Sequence, residues 1–289
     1  MPLLPICYLN DRFVPLEEAR ISPLDRGFLF ADGVYEVLPV YGNRPFRFRE
    51  HFDRLDRSLA AIGIASPHSQ PEWLELLEGL IGRNGGGDLY VYVQVTRGDE
   101  KGRNHAFPVG VRPTVFAMAA TLPPNPERPE DYGASAITMA DQRWARCDIK
   151  SIGLLANVLA KQQASEAGAG EAIFVRGEEV MEGASMSVFA VIGERLVTPP
   201  NSPRILPGTT RDVVLELAEG WLAVDIRALS VRELRAAAEI WLASSVREVI
   251  PVIRLDGAPV GNGCPGPIWL QMHARFQELK RRLAGTPAA

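Results

Sequence analysis

Arg146-Cys147-Asp148-Ile149-Lys150-Ser151 is the stretch on which the reading of this 289-residue chain turns. A lysine can act as a nucleophile when its ammonium is partly desolvated or stands near other cations, because the neutral amine then becomes accessible. Lys150 follows the apolar Ile149, precedes Gly153-Leu154-Leu155, and has Arg143 and Arg146 close by in sequence. Alone, that context is ordinary: most lysines beside an apolar run lie on the surface with the stem folded over it. The flanking sequence gives Lys150 its weight.

C-terminal to the lysine, residues 154–167 read as a helix that stops at Gly168 and Gly170. Ala172-Ile173-Phe174-Val175, the turn Arg176-Gly177-Glu178 and Val180-Met181-Glu182 predict a hairpin, and residues 187–192 with 196–198 predict a second one. A helix opens at Gly208-Thr209-Thr210-Arg211-Asp212 and runs through Leu217, and Ile240-Trp241-Leu242-Ala243 is a short buried strand ending in Ser244-Ser245. N-terminal to the lysine, residues 122–133 hold four prolines, which forbid regular helix and disfavour a central strand. Before that connector, Leu89, Val91, Val93 and Val95 alternate with Tyr90, Tyr92, Gln94 and Thr96, the pattern of a strand, and 112–118 reads as another. Phe52, Leu55, Leu59 and Ile62 recur at helical spacing over 49–62, as do the apolar residues of 71–81. The chain is therefore expected to be α+β or α/β, with a smaller domain at 1–121, a connector at 122–133 and a larger domain at 134–289.

Composition narrows the function classes. Hydrophobic residues at 46% and charged residues at 23% are ordinary for a globular enzyme, and a net charge of −4 gives no general pull toward nucleic acid or an anionic membrane. Cys7, Cys147 and Cys264 are far apart, and His51, His68, His105 and His273 are widely spaced, so neither a disulfide framework nor a metal site is expected. A signal peptide and a membrane span are not expected either, and a cytoplasmic enzyme is the default. No dinucleotide fingerprint, P-loop, zinc-protease or serine-elbow motif occurs.

Three further features carry chemistry. Glu182, at a strand end before Gly183-Ala184-Ser185-Met186, can accept a proton from a heterocyclic nitrogen while small residues let a flat ligand approach; a polar hairpin loop would look the same. Thr209 and Thr210 at a helix start, with Ser244-Ser245 after a strand, form a hydroxyl-rich set suited to phosphate, although helix capping explains the threonines equally well. His51-Phe52-Asp53-Arg54 sets an arginine near the start of a helix, as a phosphate clamp or as one member of a solvated face with an Asp53–Arg57 pair.

These segments, together with Asp25-Arg26-Gly27, Asp32-Gly33-Val34-Tyr35-Glu36-Val37 and Leu159-Ala160-Lys161-Gln162, resemble the class IV, or fold type IV, pyridoxal-phosphate aminotransferases over nearly the full length. The resemblance implies a two-domain fold type IV enzyme with the cofactor at the domain interface, bound mainly by the larger domain. It implies that Lys150 holds pyridoxal 5'-phosphate as a Schiff base and that Glu182 faces the pyridine nitrogen. Arg54, Thr210, the Thr209 and Val246 backbones and Ser245 would bind the phosphate, Leu206 would pack under the ring, and Ser185 would steer the reaction.

Tyr35 and Arg103-Asn104-His105, followed by Phe107-Pro108, resemble the branch that acts on D-amino acids, in which the Arg-x-His pair reaches in from a partner subunit to hold the substrate carboxylate. The implied activity is ping-pong transamination between a D-amino acid, such as D-alanine, and a 2-oxo acid, such as 2-oxoglutarate, in a homodimer whose sites are shared. Departures from that branch are one extra residue in 98–102, Val246 where a hydroxyl is usual, Arg247 beside it, and Ala184 and Met186 in place of more hydroxyl-rich residues. A branched-chain L-amino-acid aminotransferase and an aminodeoxychorismate lyase on the same scaffold are the alternatives.

Overall fold

The computed structural model describes residues 2–285, and the chain divides into two compact units. Among the described residues the first comprises 2–123, 149–153 and 283–285, and the second 124–148 and 154–282. The break at Pro123 falls in the proline-rich connector, which otherwise holds one 3₁₀ turn at Pro129–Asp131.

In the first unit the strands are β1 (Leu3–Leu9), β2 (Arg12–Pro15), β3 (Gly33–Tyr41), β4 (Arg44–Pro45), β5 (Leu89–Thr96) and β6 (Thr114–Thr121), and the helices are α1 (Arg26–Phe30), α2 (Phe48–Ala61) and α3 (Gln70–Arg83). The strands form one sheet in the order β2-β1-β6-β5-β3-β4. β5 is its middle: Leu89, Val91, Val93 and Val95 are buried on one face, and both edges are paired along the full strand, by β3 and by β6. β6 begins two residues later than its apolar pattern suggests, because Pro113 has no N–H to give the ladder. Phe52, Leu55 and Leu59 of α2 and Trp73, Leu77 and Leu80 of α3 pack with the buried face of β5 into a single core. A reciprocal cap between Ser69 and Glu72 starts α3.

The second unit contains β7 (Ala134–Ala140), α4 (Leu155–Glu166), β8 (Glu171–Arg176), β9 (Glu179–Gly183), β10 (Ser187–Ile192), β11 (Arg195–Thr198), α5 (Thr209–Ala218), β12 (Ala223–Ile226), α6 (Val231–Ala236), β13 (Glu239–Ser244), β14 (Glu248–Leu255), β15 (Ala258–Pro259) and all but the last three residues of α7 (Pro267–Gly285). Its sheet runs β12-β11-β10-β13-β14-β7-β8-β9, with β15 on β14. β7 is parallel to both β14 and β8, whereas β8–β9 and β10–β11 are the two hairpins expected from sequence. No helix among the described residues is long and apolar enough to cross a membrane.

Ile149–Gly153 belongs to the first unit, although the residues on either side of it belong to the second. The cause is backbone pairing: Ser151 bridges Val34, Tyr35 donates its N–H to the Lys150 carbonyl at 2.9 Å, and Ile152 donates to Gly33 at 3.1 Å.

Candidate active site

Those bonds fix Lys150 along the start of β3, and its own N–H donates to Ser58 Oγ of α2 at 3.2 Å. Gly33 is required there, since a Cβ at that position would stand 2.7 Å from the Val95 carbonyl oxygen. With its backbone held from both sides, Lys150 sets Nζ 4.2 Å from the centre of the Tyr35 ring. Among the described residues the ammonium forms no ion pair, so its stabilisation comes from the ring face, worth about 0.5–1 kcal/mol. Tyr35 in turn stacks on Tyr92, with ring centres 5.5 Å apart, and Tyr92 donates its hydroxyl to Gln94 Oε1 at 2.7 Å. Burial pushes the Tyr92 hydroxyl well above its ordinary pKa.

On the strand position after Tyr35, the buried Glu36 holds Arg54. Arg54 donates from Nε to Glu36 Oε1 at 2.7 Å and from a terminal nitrogen to Oε2 at 2.8 Å, and His51 Nδ1 lies 2.8 Å from the same Oε2. Burial pushes the Glu36 carboxyl up, but the charge and hydrogen bonds of Arg54 outweigh it and keep the pKa far below the usual carboxylate range. His51 is lowered, chiefly by burial, with the nearby Arg54 and Lys150 charges acting in the same direction. Sequence reasoning found Arg54 but not the carboxylate that aims it. The available signal was strand alternation in Val34-Tyr35-Glu36-Val37, which sends Tyr35 and Glu36 to opposite faces.

Arg103 and His105 stand exposed on the loop between β5 and β6. Both lie against Phe30, at 5.0 Å from the Arg103 guanidinium carbon and 5.2 Å between ring centres for His105.

In the second unit Glu182 is 6% exposed near the end of β9 and accepts from Arg143 and from Leu206. Arg143 donates a terminal N–H to its Oε1, and the Leu206 backbone N–H lies 3.0 and 3.1 Å from its two oxygens. Arg143 also forks onto Asp141 and sits 4.4 Å from the centre of the Phe174 ring, while Arg176 Nε donates to Asp141 at 2.8 Å. Burial pushes the Asp141 carboxyl up, and the hydrogen bonds and charge of Arg143, with those of Arg176, hold it below its ordinary value. The strand-end position of Glu182 marks it in the sequence; Arg143, Asp141 and Arg176 form no motif with it that a sequence scan would find.

Ser185 donates its hydroxyl to Glu171 Oε2 at 3.0 Å, a buried carboxylate that also faces Lys161 Nζ at 3.4 Å. Thr209 and Thr210 are buried in the first turn of α5, where the positive end of the helix dipole favours an anion. In the same turn the buried Nε of Arg211 has no hydrogen-bond partner among the described residues. Ser245 and Val246 occupy the tight turn between β13 and β14, closed by the Arg247 N–H on Ser244 Oγ at 3.3 Å, with Glu248 at φ 55°.

Thus the first unit brings Lys150 to Tyr35 and contains Arg54, Arg103 and His105, and the second brings Glu182 to Leu206 and contains Ser185, Thr209, Thr210, Ser245 and Val246. The donor set fits pyridoxal phosphate part by part. It offers a lysine amine without a counter-ion, a buried carboxylate suited to a protonated ring nitrogen, and a threonine-rich helix start with an orphaned arginine N–H suited to phosphate. Among the described residues no group of three or more His, Cys, Asp or Glu could hold a metal ion.

Residues 33–255 match the family model described as amino-transferase class IV. The chain is 39% identical over 280 residues to a D-alanine aminotransferase of Listeria monocytogenes, with 96% of each chain covered. Among solved structures it is similar to the branched-chain amino acid aminotransferase of Escherichia coli, at a TM-score of 0.88 and 26% identity, covering 96% of this chain and 94% of that one. It is similar also to the branched-chain enzyme of T.th. solved with pyridoxamine 5'-phosphate, at a TM-score of 0.87 and 26% identity, covering 96% and 95%.

Proposed function

The chain belongs to the class IV aminotransferases, and from that premise we propose that it exchanges the amino group of a D-amino acid, D-alanine foremost, with a 2-oxo acid such as 2-oxoglutarate. The observation that carries this reading is full-length identity of 39% to a protein named D-alanine aminotransferase. The branched-chain structures share the fold at 26% identity, which supports an L-specific activity only weakly. The enzyme is pyridoxal-phosphate dependent, as class IV aminotransferases are.

When bound, the cofactor takes up the amino group and its protonated ring withdraws the electron pair left at the substrate's α-carbon. The protein's own residues do the rest in this proposal. Lys150 Nζ removes the α-proton and returns it during the exchange, a role served by a side chain that pairs with no carboxylate among the described residues. Glu182 keeps the ring nitrogen protonated, and it can do so because Arg143 and the Leu206 N–H hold it as an oriented carboxylate. Thr209, Thr210, Ser245, the Val246 backbone and Arg54 bind the phosphate, with Arg54 aimed by Glu36. Leu206 packs under the ring, and Ser185, anchored on Glu171, orients the reacting groups. Tyr35, Arg103 and His105 hold the carboxylate. Which face of the substrate they fix decides which hydrogen meets Lys150, so handedness is a geometric outcome.

We assign the active form as a homodimer in the cytoplasm, with Arg103 and His105 serving the partner's site. Leu155, Val158 and Leu159, exposed at helical spacing on α4, support a buried subunit contact. The decisive experiment mixes purified protein with D-alanine and 2-oxoglutarate, and separately with L-leucine and 2-oxoglutarate, and follows the cofactor's absorbance. Faster conversion by D-alanine is expected; faster conversion by L-leucine overturns the assignment.

A further inference from the structure

The loop that presents Arg103 and His105 is exposed through 103–107, yet one buried guanidinium holds its backbone from within the first unit. Arg26, 2% exposed, donates from Nε to Asp32 Oδ2 at 2.8 Å and from a terminal nitrogen to Glu100 Oε1 at 2.9 Å. Its terminal N–H groups also reach three successive loop carbonyls: Asn104, His105 at 3.3 Å and Ala106 at 3.4 Å. Glu100 Oε1 accepts the Asn104 N–H at 3.0 Å, so the carboxylate paired to Arg26 grips the same segment.

Arg97 secures the base of this arrangement. It forks onto Asp32 at 2.8 and 2.9 Å, donates to the Ile62 and Gly63 carbonyls, and carries the Phe107 ring 3.6 Å above its guanidinium carbon. On α1, four positions beyond Arg26, the Phe30 ring is flanked by Arg26 at 4.8 Å, Arg103 at 5.0 Å and the His105 ring at 5.2 Å.

A planar fork with five donors can serve two carboxylates and several carbonyls at once, which an ammonium cannot. We infer that Arg26 and Phe30 are the positioning residues of the substrate-carboxylate grip. Arg26 fixes the backbone of 104–106, and Phe30 sets the planes in which the Arg103 guanidinium and the His105 imidazole are offered. The inference rests on the reading of Arg103 and His105 given above. It makes selectivity for a substrate carboxylate depend on two residues of α1 that need not touch the substrate, since a displacement of about an ångström in such a grip is costly.

The test measures kcat and KM for D-alanine in Arg26→Lys, Phe30→Leu, Arg103→Ala and the two double variants with Arg103→Ala. It also measures the rate of tryptic cleavage after Lys101 and Arg103 in the holoenzyme. Arg26→Lys keeps a cation between Asp32 and Glu100 but cannot span the three carbonyls, and Phe30→Leu keeps the apolar bulk and loses the ring face. Each is expected to raise KM about 10-fold with kcat within about 3-fold, and to add little once Arg103 is already alanine. Loop cleavage is expected to speed up about 10-fold in Arg26→Lys, as local opening of the segment becomes easier. A KM effect that persists at full size in the Arg103→Ala background overturns the positioning role, as does unchanged cleavage. If Arg103→Ala itself leaves KM unaltered, the substrate-binding reading of the loop fails first and the inference falls with it.

Discussion

Arg143 donates a guanidinium N–H to Glu182 Oε1 at 2.5 Å, so the carboxylate proposed to face the cofactor ring is itself ion-paired within its own unit. Both side chains are nearly buried, at 7% and 8% exposure. Removing Arg143 therefore takes from the buried Glu182 and Asp141 the cation they share, whereas removing Glu182 leaves Arg143 still paired with Asp141. Arg143→Met is expected to lower unfolding free energy by about 3 kcal/mol, measured by denaturant titration of the holoenzyme. Glu182→Gln keeps a hydrogen-bond acceptor but no charge, and should lower kcat by roughly 100-fold or more with a smaller change in stability. Full activity in Glu182→Gln would remove Glu182 from the ring nitrogen.

Tyr35 separates two roles that substitution can tell apart. Its ring supports Lys150 Nζ and stacks on Tyr92, and its hydroxyl is the part proposed to meet the substrate carboxylate. Tyr35→Phe should therefore raise KM for D-alanine about 10-fold and leave stability within about 0.5 kcal/mol, whereas Tyr35→Ala should lose both. Steady-state kinetics beside thermal melts would decide; wild-type kinetics in Tyr35→Phe would deny the hydroxyl any part.

The Glu36–Arg54–His51 cluster predicts an acid limb. Glu36 has its folded pKa depressed below the ordinary 4.5, so the native state binds fewer protons than the unfolded chain as the pH falls past that value. Its contribution is present above about pH 4.5 and lost on acidification below it. His51 is also depressed, from an ordinary 6.5, and adds a loss that begins as the pH falls through that value. Melting temperature followed from about pH 8 to about pH 3 should drop in both windows, and Glu36→Gln should flatten the lower one while costing about 3 kcal/mol at neutral pH. An unaltered lower limb in Glu36→Gln would assign acid sensitivity elsewhere.

The exposed face of α4 gives a prediction about assembly. Val158→Asp places a charge between Leu155 and Leu159, and light scattering should then report a species of one chain mass instead of two. Loss of turnover should accompany it, because Arg103 and His105 would no longer meet a partner. A fully active monomer would contradict the shared site.

Much of this was legible in the sequence because the signals were local. The alternation in β5, the helical spacing in α2 and α3, and the turn residues of both hairpins each lie within one short window, and all form where expected. β3 is harder to read, since Glu36 and Pro39 interrupt an otherwise apolar run. The carboxylate is tolerated inside only because Arg54 and His51 arrive from α2. In the candidate site, Lys150 and Glu182 carried recognisable neighbours. Their supporting residues did not: Arg143 reaches Glu182 across some forty residues of chain, Arg176 reaches back to Asp141, and Arg26 meets the 104–106 carbonyls across nearly eighty. Long-range charge pairing leaves no periodic trace.

The split membership of Ile149–Gly153 has a consequence for synthesis. A ribosome that has released residues up to the proline-rich connector has not yet supplied the partner that Val34 and Tyr35 need, so the first unit stays open at the start of β3 until residue 153 emerges. A fragment cut at the connector would leave the Gly33 carbonyl and the Tyr35 amide without these bonds and would lack the lysine altogether. The nascent chain thus acquires Lys150 and these hydrogen bonds to the start of β3 in the same few residues of translation.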